Sequence, residues 1–257
     1  MIRYRPLESY LRKYADLVGV PLRVTCVLRE GARIAGYDPI NLDNLLARAV
    51  VDDATDGQGL PEIPDPYDLP VPLRCLWRSD DGLPLWAATV FHAVGEPIAD
   101  VAYWHKRVQT GKWTGTKSGS YSIGSTKGRW MERRVPLPTK LCREWYADAI
   151  GDPDEIARLV KPLAFVGKRR SNGFGEVECW RVEPLESFEL VREGILTRPL
   201  PAMAVSLLGA ARVPEGQPSP VGWTPPEWKP RLFALGWWTG TPVGTDWYLG
   251  AISLERA

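Results

Sequence analysis

Residues 167–177, Gly-Lys-Arg-Arg-Ser-Asn-Gly-Phe-Gly-Glu-Val, have the types and spacing to hold a chain of phosphates. Lys168, Arg169 and Arg170 are consecutive cations, with Asn172 beside them and Gly167, Gly173 and Gly175 around them. Glycine permits positive φ and close backbone approach because it has no Cβ. Successive N–H groups in such a loop can converge on one anion. The run is not a dinucleotide fingerprint, since it leads into a predicted strand rather than opening a helix, and it has no GK[ST] of a Walker loop. A plain turn between helix and strand accounts for the same glycines, with Gly167 as a helix C-cap and Gly173 or Gly175 at a bulge. Three adjacent cations favour phosphate contact.

A second stretch carries the same chemistry. From Ala102 to Arg134, Lys106, Arg107, Lys112, Lys117, Lys127, Arg129, Arg133 and Arg134 face one acid, Glu132. Trp104, Trp113, Tyr121 and Trp130 are interleaved with them, and glycines stand at 111, 115, 119, 124 and 128. Cations pair with phosphates while bases stack on rings for about 1–3 kcal/mol each. Trp104, Lys106, Arg107, Lys112, Trp113, Lys117, Tyr121, Lys127 and Arg129 are therefore candidate nucleic-acid contacts, although charge alone does not separate RNA from DNA. Low apolar periodicity predicts a long β-hairpin or insertion projecting from the body. Within it, Tyr103, His105 and Lys106 could deprotonate a 2′-hydroxyl and protonate the leaving oxygen in metal-independent RNA cleavage. The same three residues serve equally as backbone contacts.

The chain as a whole bounds these readings. It has 257 residues, a formal net charge of +1, 12 tryptophans and 24 prolines. A near-neutral chain with one concentrated basic segment suits local phosphate contact rather than general adhesion. The four cysteines (Cys26, Cys75, Cys142 and Cys179) form no CxxC pair, which points to reduced thiols in a cytoplasmic protein. Residues 1–20 are studded with charge and read as no secretory signal. The longest uncharged apolar run, around 202–211, is shorter than the ~20 residues that span a bilayer, so no membrane partner is expected. No Cys/His cluster has zinc spacing, and Asp52-Asp53 and Asp80-Asp81 read as helix ends or turns. Neither a metal nor another cofactor is expected.

The positioning elements follow from periodicity and punctuation. Leu7–Val18 has helical spacing. Leu22–Leu28 alternates around β-branched residues and predicts a strand. Asn41 is placed to cap a helix from Leu42 to about Val51, with Leu42, Leu45, Leu46, Ala49 and Val50 on one face. Strands are expected near Leu73–Trp77, Leu85–Ala93 and Glu176–Val182, with a surface loop over 58–72. Asp152-Pro153-Asp154-Glu155 predicts a helix start with a capping box, and Pro162 its early end. The order strand–helix–strands–helix–glycine loop–strand predicts an α+β, ferredoxin-like βαββαβ unit with a large insertion.

With these residues in place, the chain resembles the RAMP superfamily of CRISPR–Cas proteins. Gly167, Lys168, Arg169, Arg170, Gly173, Phe174, Gly175 and Val177 are similar, position by position, to that superfamily's loop: Gly, basic residues, then Gly-aromatic-Gly-x-aliphatic. Leu22–Leu28 and Ile40-Asn41-Leu42-Asp43-Asn44-Leu45-Leu46-Ala47 resemble its first strand and helix. Arg198-Pro199-Leu200-Pro201 and Pro225-Pro226-Glu227-Trp228 are similar to later segments of the handle-binding backbone subunit of type IV systems. The resemblance implies a ferredoxin-like domain over 1–200, with a hairpin thumb at about 102–135, and an aromatic, proline-rich extension over 201–257. It further implies a non-catalytic subunit that caps the 5′ handle of a crRNA, contacts backbone and large or small subunits, and lies near target DNA beside the PAM. Some relatives cut precursor RNA, which keeps a repeat-processing endoribonuclease as the alternative.

Overall fold

The computed structural model describes residues 5–60, 69–106, 133–209, 212–227 and 229–245. The protein is a mixed α+β molecule with few helices and antiparallel sheets. Its centre is a four-stranded sheet in the order β5–β8–β1–β9. These strands are β1 (Val20–Leu28), β5 (His92–Ala93), β8 (Glu144–Gly151) and β9 (Val177–Pro184). β1 pairs along its length with β8, from Val20↔Gly151 to Val27↔Glu144, and on its other edge with β9, with a bulge at Val27/Leu28.

Strand alternation explains the core. Leu22, Val24, Cys26 and Leu28 all point to one face and are buried, as are Ala147 and Ala149 of β8. Two helices cover that face: α2 (Leu42–Ala54), through Leu42, Leu46, Ala49 and Val50, and α3 (Pro153–Val160), through Ile156, Leu159 and Val160. Burying each such aliphatic side chain contributes about 1.5–3 kcal/mol. Within this core, burial and the nearby Cys179 push the Cys26 thiol up to about 12, so it remains a neutral packing group. All four cysteines are free thiols.

Several expectations need correction in detail. The N-terminal helix is shorter than 7–18, with a 3-10 turn over Arg5–Leu7 followed by α1 (Glu8–Tyr14). Asn41 occupies the N-cap position of α2 without a side-chain cap bond; Asp43 Oδ1 instead accepts the Asn44 N–H at 2.8 Å. At α3, Asp152 accepts the Glu155 N–H at 3.0 Å as expected, and the helix stops before Pro162. The reciprocal half of the capping box is missing. Glu155 turns to Tyr14 at 2.5 Å, Lys13 and Arg158, while the Asp152 N–H donates to the Pro72 carbonyl. Hydrogen bonds from Arg158 chiefly hold the Glu155 carboxyl down to about 2.

The expected strand over Leu85–Ala93 is split into β4 (Pro84–Trp86) and β5. Between them, Ala87, Thr89, Val90 and Phe91 donate to Arg74, Asp148, Thr197 and Ile40 in turn, so no single neighbour strand can claim the segment. β4 pairs with β3 (Cys75–Arg78). The β3–β4 turn holds Asp80-Asp81, and Asp52-Asp53 lies in the last turn of α2.

Two further assemblies surround the central sheet. β2 (Ile34–Ala35), β7 (Arg133–Leu141) and β6 (Ile98–Lys106) form a three-stranded sheet in that order, β6 and β7 being the arms of a hairpin paired from Ile98↔Leu141 to Lys106↔Arg133. The residues between those arms, 107–132, lie outside the described residues. A second core is built from Leu85, Leu196, Leu200, Ala204, Leu208 and Trp223. Around it lie β10 (Val191–Arg192), β11 (Ile195–Leu196), β12 (Leu200–Pro201), β13 (Arg212–Pro214), β14 (Ser219–Gly222), β15 (Phe233–Trp237) and β16 (Val243–Thr245), in small sheets. This core takes residues from both sides of position 200 and from the β3–β4 hairpin. No described helix is long and apolar enough to cross a membrane.

Candidate nucleic-acid interface

The glycine loop and the basic hairpin are far apart in sequence, and β2 brings them together. On one side Ile34 and Ala35 pair with Lys140 and Thr139 of β7. On the other, Ala35 forms a bridge with Lys168, and the Arg33 carbonyl accepts the Gly175 N–H at 2.7 Å. An ion pair from Arg33 to Asp100 of β6 ties the same segment to the hairpin base. The loop consequently faces the hairpin, and the Arg169 guanidinium lies over the Trp104 ring at 5.7 Å from its centroid.

Within the loop, glycine is required most sharply at Gly175. Its φ is +70°, and a Cβ there would stand 1.9 Å from the Val166 carbonyl oxygen. Gly167 is not a helix C-cap, because α3 has already ended at Val160; it has φ +77° and packs under Ile34 and Ile40. The Asn172 and Gly173 N–H groups donate to the Arg169 and Arg170 carbonyls, closing a 3-10 turn over Arg170–Asn172. Together with Gly175, three backbone donors are thus engaged by protein carbonyls and cannot form an anion cradle. Side chains are left to supply the charge. Lys168, Arg169 and Arg170 are all exposed. Lys168 is paired with Asp38, but both side chains are about two-thirds exposed, at 65% and 66%. Such pairs are worth only about 0–1 kcal/mol, so a phosphate can displace the carboxylate.

Arg169 has φ +59° and ψ +32°, the left-handed region. That conformation costs an L-residue roughly 1–2 kcal/mol, and it aims the side chain at Trp104. Arg169→Gly relieves the strain while freeing the unfolded chain. Its stability should therefore stay within about 1 kcal/mol of wild type, while on the phosphate-contact reading of the loop its affinity for RNA falls about tenfold from one lost cation. Thermal melts and a binding titration on the same preparation check this, and an unchanged affinity would remove Arg169 from the interface.

The hairpin residues separate by strand alternation. Tyr103 and His105 share one exposed face, where the Arg134 guanidinium stacks at 3.9 Å from the Tyr103 ring centroid. Trp104 lies on the opposite face with Arg169. Lys106 ends β6 opposite Arg133. Arg107, Lys112, Trp113, Lys117, Tyr121, Lys127 and Arg129 lie outside the described residues. Arg33 and Asp38 escaped the sequence reading, and Arg134 was not singled out as a contact. Arg134 sat in the counted basic run, whereas nothing local marks a two-residue strand at Ile34–Ala35.

Beneath the loop, Glu227 lies beside the buried Asp43–Arg198 ion pair, and its backbone N–H donates to Asn44 Oδ1 at 3.2 Å. Burial first, and the Asp43 carboxylate second, push the Glu227 carboxyl up from an ordinary 4.5 to about 7. A raised carboxyl pKa means that the folded state holds its proton longer than the unfolded chain. The resulting stability is complete below about 4.5 and is lost as pH rises to about 7. Glu155, with its lowered pKa, acts oppositely: its contribution is present above 4.5 and lost as pH falls toward 2. Between about pH 5 and pH 7 the melting temperature of the wild type should decline relative to that of Glu227→Gln. An equal decline in both proteins would show that Glu227 titrates normally.

Compared with known proteins, the chain matches no family model and no curated sequence.

Proposed function

We propose that this protein binds RNA without cutting it, as the 5′-handle-capping subunit of a CRISPR surveillance complex, in a RAMP-type ferredoxin-like fold. The fold reading is supported by the sheet order β9–β1–β8–β5, all antiparallel, with α2 following β1 and α3 joining β8 to β9. The β6–β7 hairpin takes the place of the thumb. The observation that carries the functional reading is the Arg169–Trp104 contact, which joins the cationic glycine loop to an aromatic on the basic hairpin. Phosphate-binding and base-stacking groups side by side are the minimal equipment for a single strand. The guide RNA is the first partner, neighbouring backbone and large or small subunits the second, and target DNA near the PAM a third.

The test is incubation with labelled repeat RNA in EDTA, read on native and denaturing gels. An intact, shifted RNA is expected, with log K falling linearly in log[salt], and Lys168/Arg169/Arg170→Ala should abolish the shift. No shift at low salt, or a flat salt response, would sink the RNA reading. The endoribonuclease reading draws on one observation, the exposed Tyr103–His105 face with Arg134 against the tyrosine. A discrete cut lost in His105→Ala would establish it instead.

A further inference from the structure

A cleft of about 630 Å³ opens beside Asp38, the partner of Lys168 at the start of the glycine loop. Its volume lies within the roughly 300–1,000 Å³ typical of small-ligand sites. One wall is the β5 edge of the central sheet. His92 and Tyr146 are register partners there, so both project from the face turned away from the helices, with ring centroids 5.8 Å apart. Arg192 donates to the Tyr146 hydroxyl at 3.2 Å and pairs with buried Asp148. The other walls include Lys140 of β7 and two exposed aromatics, Tyr37 at 73% and Trp238 at 44%.

His92 carries the most telling atom. Its Nε2 is buried without a hydrogen-bond partner, a costly condition that a ligand group or water would relieve. Burial, and then the Arg192 charge, lower its pKa, so the ring is neutral at pH 7 and can serve a polar edge without adding charge. Exposed rings for a planar face, cations at the rim and a polar atom at the back are the features a nucleobase with its phosphate requires.

We propose that this cleft receives one unstacked nucleobase of a single-stranded RNA, stacked on Tyr37 or Trp238, with its polar edge against His92 Nε2 and its phosphate near Lys140. The inference rests on the RNA-binding reading above and adds a base-holding site to it, across the Lys168–Asp38 pair from the loop.

The test uses the full chain and a series of short single-stranded RNAs, each with 2-aminopurine at a different position. One position should be quenched on binding. Tyr37→Ala and Trp238→Ala, each checked by thermal melt to be folded, should restore fluorescence at saturation and weaken binding, by about tenfold for the ring that stacks. Arg169→Gly should weaken binding yet retain the quench at saturation. At the quenched position, His92→Phe should lose the preference among bases shown by wild type. Binding that is sensitive to Arg169→Gly but shows no quench, or is unaffected by both aromatic variants, overturns the cleft and leaves the RNA reading standing. Equal affinity of wild type for all four bases there removes the His92 contact. Absence of RNA binding by wild type removes both proposals.

Discussion

Replacing Arg198 with Ala should lower stability by about 3–5 kcal/mol, the cost of leaving one partner of a buried ion pair alone. Arg198 is 3% exposed and fully engaged. Nη1 donates to the carbonyls of Trp86 and Ala88, and Nη2 to the Trp223 carbonyl at 2.8 Å and Asp43 Oδ2 at 3.1 Å. One guanidinium thus joins the α2 start, the β4–β5 connection and the second core. For a chain of this size the melting temperature should fall by about 10 °C or more. Arg198→Lys should recover little, because a compact ammonium lacks the planar fork that reaches these acceptors. In Arg198→Ala, Asp43 loses the one opposing charge that counters its desolvation, so its already raised pKa rises further. Protonation then relieves the folded state. The deficit should therefore shrink as pH falls from 7 to 5 and grow as it rises. A melting temperature within a few degrees of wild type at pH 7 would refute the coupling.

Gly175→Ala should be nearly as damaging, at about 3–4 kcal/mol. A Cβ 1.9 Å from the Val166 oxygen cannot be accommodated by side-chain movement, and φ is positive. The loop would have to leave both the Arg33 carbonyl and the Val166 N–H, at about 1 kcal/mol per bond in addition to strain. Gly173→Ala is the internal control: its φ is +83°, but nothing lies within 4 Å of where the methyl would stand, so only about 1 kcal/mol is expected. Paired denaturant melts compare the two. Equal losses at 173 and 175 would mean that backbone conformation alone, and not close packing under the loop, fixes its shape. Because Gly175 anchors the segment that carries Arg169 and Arg170, on the proposed function its variant should also lose RNA affinity, whereas Gly173→Ala should retain most of it.

Much of the central sheet was legible from local pattern. Alternation in Leu22–Leu28, the apolar stripe of Leu42–Val50 and the Asp152-Pro153 start depend on neighbours one to four residues away, and the strand and both helices formed there. Local signals failed where a polar group had a stronger distant partner. Glu155 left its expected backbone donor for Lys13, Tyr14 and Arg158, since a charge-assisted bond in a partly buried place outweighs a neutral one. Leu85–Ala93 read as one strand because its apolar content is continuous, yet its hydrogen bonds are shared among four different segments.

The candidate site divides in the same way. Composition and spacing alone marked Lys168, Arg169, Arg170, Trp104 and the three loop glycines, because cations, rings and positive-φ positions are properties of residue type. Only the tertiary structure placed Arg169 over Trp104, turned the loop's backbone donors inward, buried Arg198 against Asp43, and gathered Tyr37, His92 and Trp238 around one cleft. Those pairings span tens to hundreds of positions, and the first of them depends on a two-residue strand, Ile34–Ala35, too short to have a period of its own. Residue chemistry is written one position at a time, whereas a site is a set of distances, and distances between remote positions exist only once the chain has packed.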